Sequence, residues 1–159
     1  MAKALILGST GLTGAFVLQK TLDDPFFMEV TVWVRKPLAL NHPKLKVVIT
    51  DFKSFPQSDA DIVFSCLGTT KSKTPDPEVY HFVEVGIPVE TAKNLLKSRL
   101  QQFHYISSIG TSATGMTSYI KNKWEAESKL SELGIPSLYI YRPSLIFGDR
   151  TDTRFLENI

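Results

Sequence analysis

LILGSTGLTGAFVL (Leu5–Leu18) opens with three aliphatic residues, turns on a glycine, and continues with apolar residues at helical spacing through Leu12, Ala15, Phe16 and Leu22. A short apolar run that stops at a glycine reads as a buried parallel strand. The residues after it read as a helix, and Gly8, Gly11 and Gly14 stand between and within them at G-x-x-G-x-x-G spacing. In that strand–turn–helix setting Gly8 permits a tight turn and Gly11 lets the backbone approach a pyrophosphate. Gly14 lets the helix pack close to the sheet. Thr10 and Leu12 flank Gly11 in the same turn. A bound anion would rest on helix N–H groups, at the positive end of the helix dipole.

The rest of the chain repeats the strand–helix alternation. VTVWV (Val30–Val34), KVVIT (Lys46–Thr50), DIVFSCL (Asp61–Leu67), FHYIS (Phe103–Ser107) and SLYIY (Ser137–Tyr141) read as further strands. Helical patterns run over Val83–Leu100 and Ser118–Leu133; Gly134 caps the second and Pro136 prevents its continuation. Such alternation predicts an α/β fold, a doubly wound parallel sheet of Rossmann type in the order 3-2-1-4-5-6 with helices on both faces. Residues 1–159 read as a single domain, and little sequence follows the sixth strand, which leaves almost no C-terminal substrate segment.

Composition narrows the function classes. The chain is 43% hydrophobic and 21% charged with a net charge of +2, and no dense Lys/Arg run favours nucleic acid or an anionic membrane. No stretch is long enough to span a bilayer. The first apolar run is broken at once by Gly-Ser-Thr-Gly, which argues against a signal peptide. The single cysteine, Cys66, forbids an internal disulfide and suggests a reducing, cytoplasmic location; at the end of an apolar strand it reads as a packing residue. The three histidines show no metal-ligand spacing.

The end of the second strand bears on cofactor choice. An acidic residue there would hold a ribose 2′-OH, whereas a cation suits a 2′-phosphate. Here VWVRK supplies Arg35 and Lys36 and no carboxylate, so NADP(H) is expected in preference to NAD(H). Asp51, ending the third strand, is placed to accept from an adenine amino group.

Taken in order, GSTGLTG, VWVRK, SCLGTTKSK, HYISSIG, YIKNKWEAE and YRPSLIFGDR resemble the atypical short-chain dehydrogenase/reductases, and among them the branch of the Tat-interacting oxidoreductase-like protein. The resemblance covers essentially the whole chain. It implies hydride transfer between a nicotinamide and a small carbonyl or alcohol substrate, with Ser108 (Ser107 as the fallback), Tyr119 and Lys123 acting together. Tyr119 and Lys123 lie four residues apart, on one face of the expected helix. Tyrosine, with an ordinary pKa near ~10, needs a nearby cation to exchange a proton near neutrality. Lys123 would supply that charge and also hold the nicotinamide ribose, while the serine hydroxyl polarises the carbonyl. The same resemblance places Leu67 and Gly68 beside a cofactor ribose, and Pro143 and Ser144 beside the carboxamide. Some relatives in the wider superfamily are instead non-catalytic NADP(H)-binding modules that sense redox state. Ser118–Leu133 could also pair with a second copy to form a homodimer.

Overall fold

The structure is a computed structural model, and it describes residues Met1–Ser144. Six strands, β1 (Ala2–Leu7), β2 (Phe27–Val34), β3 (Leu45–Ile49), β4 (Ile62–Ser65), β5 (Gln102–Ile106) and β6 (Ser137–Tyr141), pair in parallel as β3-β2-β1-β4-β5-β6. This is the order expected from the sequence. Helix α1 (Leu12–Asp23) covers one face, and Pro77–Leu96 together with α4 (Ser118–Glu132) covers the other. Leu5, Leu7, Trp33, Val63, Phe103 and Tyr105 point to the second face, where they meet Val85, Ala92, Leu95, Ala126 and Leu130. Ala4, Ile6, Val30 and Val32 point the other way, onto Leu18 and Leu22. Residues one apart on a strand thus serve two separate cores, which is why the strands read as continuous apolar runs.

Several element bounds differ from the sequence reading; β4 ends at Ser65 and not at Leu67, and β3 and β5 are each set one residue earlier. Helix α1 does not bury Ala15 and Phe16, which are exposed; its inner face is Gly14, Leu18, Thr21 and Leu22, an i, i+4 row that starts on the glycine. Strand β2 begins three residues early because Phe27 packs edge-on against Phe64 of β4. The long helix starts at Pro77, capped by Asp76, and not at Val83, and it stops at Leu96 and not at Leu100. It is three pieces: α2 (Pro77–His81), a π-helical turn (Phe82–Gly86) and α3 (Ile87–Leu96). Pro88 has no N–H to give the Glu84 carbonyl four residues back, so a regular α-helix cannot run through this point. The Tyr105 hydroxyl donates to that carbonyl instead, at 3.4 Å.

Register brings the strand exits to one edge. Leu7 lies opposite Trp33 on one side and Ser65 on the other, Ser65 lies opposite Tyr105, and Ile106 lies opposite Tyr141. The glycine turn, Arg35, Cys66–Gly68, the Ser107–Ser108 pair and Arg142–Ser144 therefore all leave the sheet at its carboxyl edge, where ligands of open α/β sheets bind.

Candidate active site

The glycine turn is built for close approach. Gly8 has φ +78°, and a Cβ there would lie 2.7 Å from the Cys66 carbonyl oxygen. A Cβ on Gly14 would lie 2.0 Å from the Gly8 carbonyl oxygen, so this glycine sets how near α1 comes to the turn. Gly11 is different: its φ is −82°, and a Cβ would meet only the Gly8 oxygen, at 3.4 Å. The fold itself does not demand glycine at 11. Helix α1 has no side-chain cap and no acidic residue in its first turn, and the buried Ser9 hydroxyl has no partner among the described residues. A bare helix N-terminus beside an unpartnered buried hydroxyl suits an oxyanion. Thr10 is exposed and Leu12 half-buried in the same turn.

Arg35 and Lys36 follow β2 directly and are exposed, one strand over from the glycine turn. Asp51 is less available. Its Oδ1 accepts from the Lys53 N–H at 3.0 Å, and the Lys53 ammonium lies 3.8 Å from Oδ2. Next to it Phe52 is held at φ +60° and packs on Trp33 and Phe55.

At the centre of the edge lies Lys123, which is 2% exposed. Its ammonium donates to the carbonyls of Ile106 (3.1 Å) and Leu67 (3.4 Å), joining the exits of β5 and β4. It pairs with Glu84 Oε2 at 3.0 Å, and lies 5.0 Å from the Tyr105 ring centre and 5.9 Å from that of Tyr119. The helix face carrying residues 119 and 123 thus turns inward at the lysine and outward at the tyrosine, which is 37% exposed. Burial alone would lower the Lys123 ammonium, but Tyr105, Glu84 and Tyr119 outweigh it and hold it above its ordinary value. Burial pushes the Tyr105 hydroxyl up to about 12, so at neutral pH Tyr105 contributes no charge and Glu84 is the lysine's buried counter-charge. Glu84 Oε1 accepts from the Thr69 N–H at 2.7 Å. Gly68, just before it, is exposed, and a Cβ there would lie 3.8 Å from the same oxygen.

The two serines have different fates. Ser107 is buried and its hydroxyl donates to Glu127. Glu127 also accepts from Thr111 and takes Arg142 on both oxygens, Nε at 3.0 Å and Nη2 at 2.5 Å. These bonds to Arg142 and Ser107 hold the Glu127 carboxyl below its ordinary range, against the opposing effect of burial. The network staples α4 to the exits of β5 and β6. Ser108 is half-buried, and among the described residues its hydroxyl makes only a 3.3 Å bond to the neighbouring Ile109 carbonyl. The Pro143 carbonyl accepts from the Ile109 N–H at 3.1 Å, so the loop carrying Pro143 and Ser144 is tied to the one carrying Ser108.

The sequence reading missed Glu84 and Glu127. Glu84 was visible as the lone charge in the apolar stretch VYHFVEVGIPV, with a proline four residues on; Glu127 gave no signal apart from its helical position. Cys66 is partly covered, and burial pushes its thiol up to about 12. With almost no thiolate at pH 7.5, native protein should be alkylated by iodoacetamide roughly 10³-fold more slowly than a free cysteine, and promptly once unfolded. Rapid labelling of the native chain would contradict this placement.

No family model matches the chain. It is 29% identical over 161 residues to the protein named FMP52, mitochondrial, of Debaryomyces hansenii, covering 98% of this chain and 71% of that one. It is 31% identical over 165 residues to the fmp52 protein, mitochondrial, of Aspergillus clavatus (97% and 70%), and 27% identical over 157 residues to the HTATIP2 protein of Rattus norvegicus (94% and 64%). The chain belongs to the atypical short-chain dehydrogenase/reductases, in the branch of the FMP52 and HTATIP2 proteins. Among solved structures it superposes on a UDP-N-acetylglucosamine 4-epimerase from Methanobrevibacter ruminantium with a TM-score of 0.78 at 16% identity, covering 99% of this chain and 59% of that one. For a UDP-glucuronic acid 4-epimerase from Bacillus cereus, solved with NAD, the values are 0.72, 16%, 94% and 58%. The fold is shared with these enzymes; the chain spans less than two thirds of their length. The mitochondrial names of the FMP52 relatives overturn the cytoplasmic location expected from the sequence. A single cysteine shows only that residues 1–159 form no internal disulfide, which does not identify a compartment.

Proposed function

We propose that this chain is an NADP(H)-dependent oxidoreductase that moves a hydride between a nicotinamide and a small carbonyl or alcohol. The observation that carries the reading is the buried Lys123 ammonium, which joins two strand exits beside Tyr119 on the edge that also bears the glycine turn. The residues fit the cofactor: the uncapped α1 terminus and the unpartnered Ser9 hydroxyl suit a pyrophosphate, held by Gly8, Thr10, Gly11, Leu12 and Gly14. Leu67 and Gly68 would hold a ribose and Pro143 and Ser144 the carboxamide; Lys123, expected from the resemblance to meet the ribose itself, is buried with its ammonium on Leu67, Ile106 and Glu84, so it would brace the ribose loop from behind. The nicotinamide, when bound, supplies or takes the hydride. Tyr119 gives the carbonyl oxygen its proton, and Lys123 keeps a positive charge behind that hydroxyl. Ser108 donates to the same oxygen; Ser107 is committed to Glu127 and is the poorer candidate. The test is steady oxidation of NADPH across a panel of aldehydes and ketones, cut about 10²-fold or more in Tyr119→Phe. Binding without turnover anywhere in the panel would favour a redox-sensing module.

Cofactor preference rests on Arg35 and Lys36 at the end of β2. A guanidinium can meet two oxygens of a 2′-phosphate and lie against an adenine face. A charge-assisted contact of about 1.5–3 kcal/mol corresponds to NADPH binding roughly ten- to a hundredfold tighter than NADH. Arg35→Asp should reverse the order, because a carboxylate repels the phosphate and accepts from a ribose hydroxyl. Paired titrations with the two cofactors on both proteins check this; equal affinities in the wild type would make Arg35 an ordinary surface charge.

A further inference from the structure

We propose that Glu84 is a positioning residue of the cofactor site, an inference that rests on the dinucleotide reading above. One carboxylate oxygen fixes the Thr69 N–H and the other holds the Lys123 ammonium. Thr69 directly follows Leu67 and Gly68, where a cofactor ribose would lie, and Lys123 sits one turn below Tyr119 on α4. A single carboxylate therefore ties the ribose loop to the catalytic helix. Its own placement comes from the π-helical turn, which Pro88 favours, with the Tyr105 hydroxyl taking up the Glu84 carbonyl. Glu84 is 1% exposed, so it acts through Lys123 and Thr69 and touches no ligand itself.

A buried ammonium without a counter-charge loses its proton far more readily than a solvated one. The titratable groups facing Lys123 are Glu84 from the π-turn, Tyr105 from β5, Cys66 at the exit of β4 and Tyr119 from its own helix. Tyr105 and Cys66 are both pushed up to about 12, so neither replaces the Glu84 charge at neutral pH. Glu84→Gln keeps the shape and an acceptor for Thr69 but removes the charge. Lys123 then falls below its ordinary value and gives up its proton more readily as pH rises.

The experiment measures NADPH affinity by calorimetry at pH 7, 8 and 9 for wild type, Glu84→Gln, Glu84→Asp and Glu84→Gln/Lys123→Met. Wild-type affinity should change less than about twofold over this range, and Glu84→Gln should lose at least about tenfold as Lys123 deprotonates. Glu84→Asp should restore a flat profile, and the double variant should be weak and flat. Melting of the unliganded proteins gives a second reading. With Lys123 raised, the wild type keeps that stability throughout this window, below the ordinary lysine value. With Lys123 depressed, Glu84→Gln should gain stability as pH rises, because the unfolded chain binds the extra proton. A Glu84→Gln protein that binds NADPH like the wild type at every pH overturns the proposal alone. A wild type that binds neither NADPH nor NADH overturns the dinucleotide reading and this role with it.

Discussion

Tyr119→Phe should lower turnover by about 10²-fold or more while dinucleotide affinity stays within about twofold. The substitution removes one oxygen from a side chain that is 37% exposed and whose ring lies 5.9 Å from the Lys123 ammonium, so neither the core nor the lysine's hydrogen bonds change. What is lost is the proton source at the developing alkoxide. Lys123→Ala should damage both binding and turnover, since it deletes the donor to the Leu67 and Ile106 carbonyls and strands Glu84 as an unpaired buried charge. Measuring turnover and affinity on the two variants separates the roles. A phenylalanine variant with normal turnover would remove Tyr119 from the chemistry.

Gly11→Val should abolish cofactor binding, a loss of at least about a hundredfold, with melting changed by only a few degrees. A side chain at 11 has room in the unliganded turn but would occupy the surface a pyrophosphate must reach. Gly14→Ala is the contrasting case, because its Cβ would collide with the Gly8 carbonyl and force α1 away from the sheet. Overpacking of this kind costs about 1–3 kcal/mol, which lowers melting by several degrees in a domain of this size. Calorimetric titration and thermal melting on both variants test the pair. Gly11→Val binding like the wild type would mean that the turn does not hold the phosphates.

The strands and the glycine turn were legible because both depend on local pattern, apolar runs that end in glycine alternating with helical segments, and the strand order followed from the doubly wound fold which that alternation implies. The tripartite helix was not. Its cause, Pro88 together with a tyrosine from β5, joins residues 17 positions apart (88 to 105). Glu84 stood out as a lone carboxylate in an apolar stretch, but its role did not, since such a carboxylate acquires meaning only from the lysine that folding brings to it. The serine pair was legible as a pair; which hydroxyl is free depends on Glu127, twenty residues beyond Ser107.

Titration of NADPH into the purified chain tests the central claim most directly. One saturable site per chain is expected, with NADH competing only at concentrations at least about tenfold higher. No saturable binding of either dinucleotide, in a protein that melts cooperatively, would contradict it.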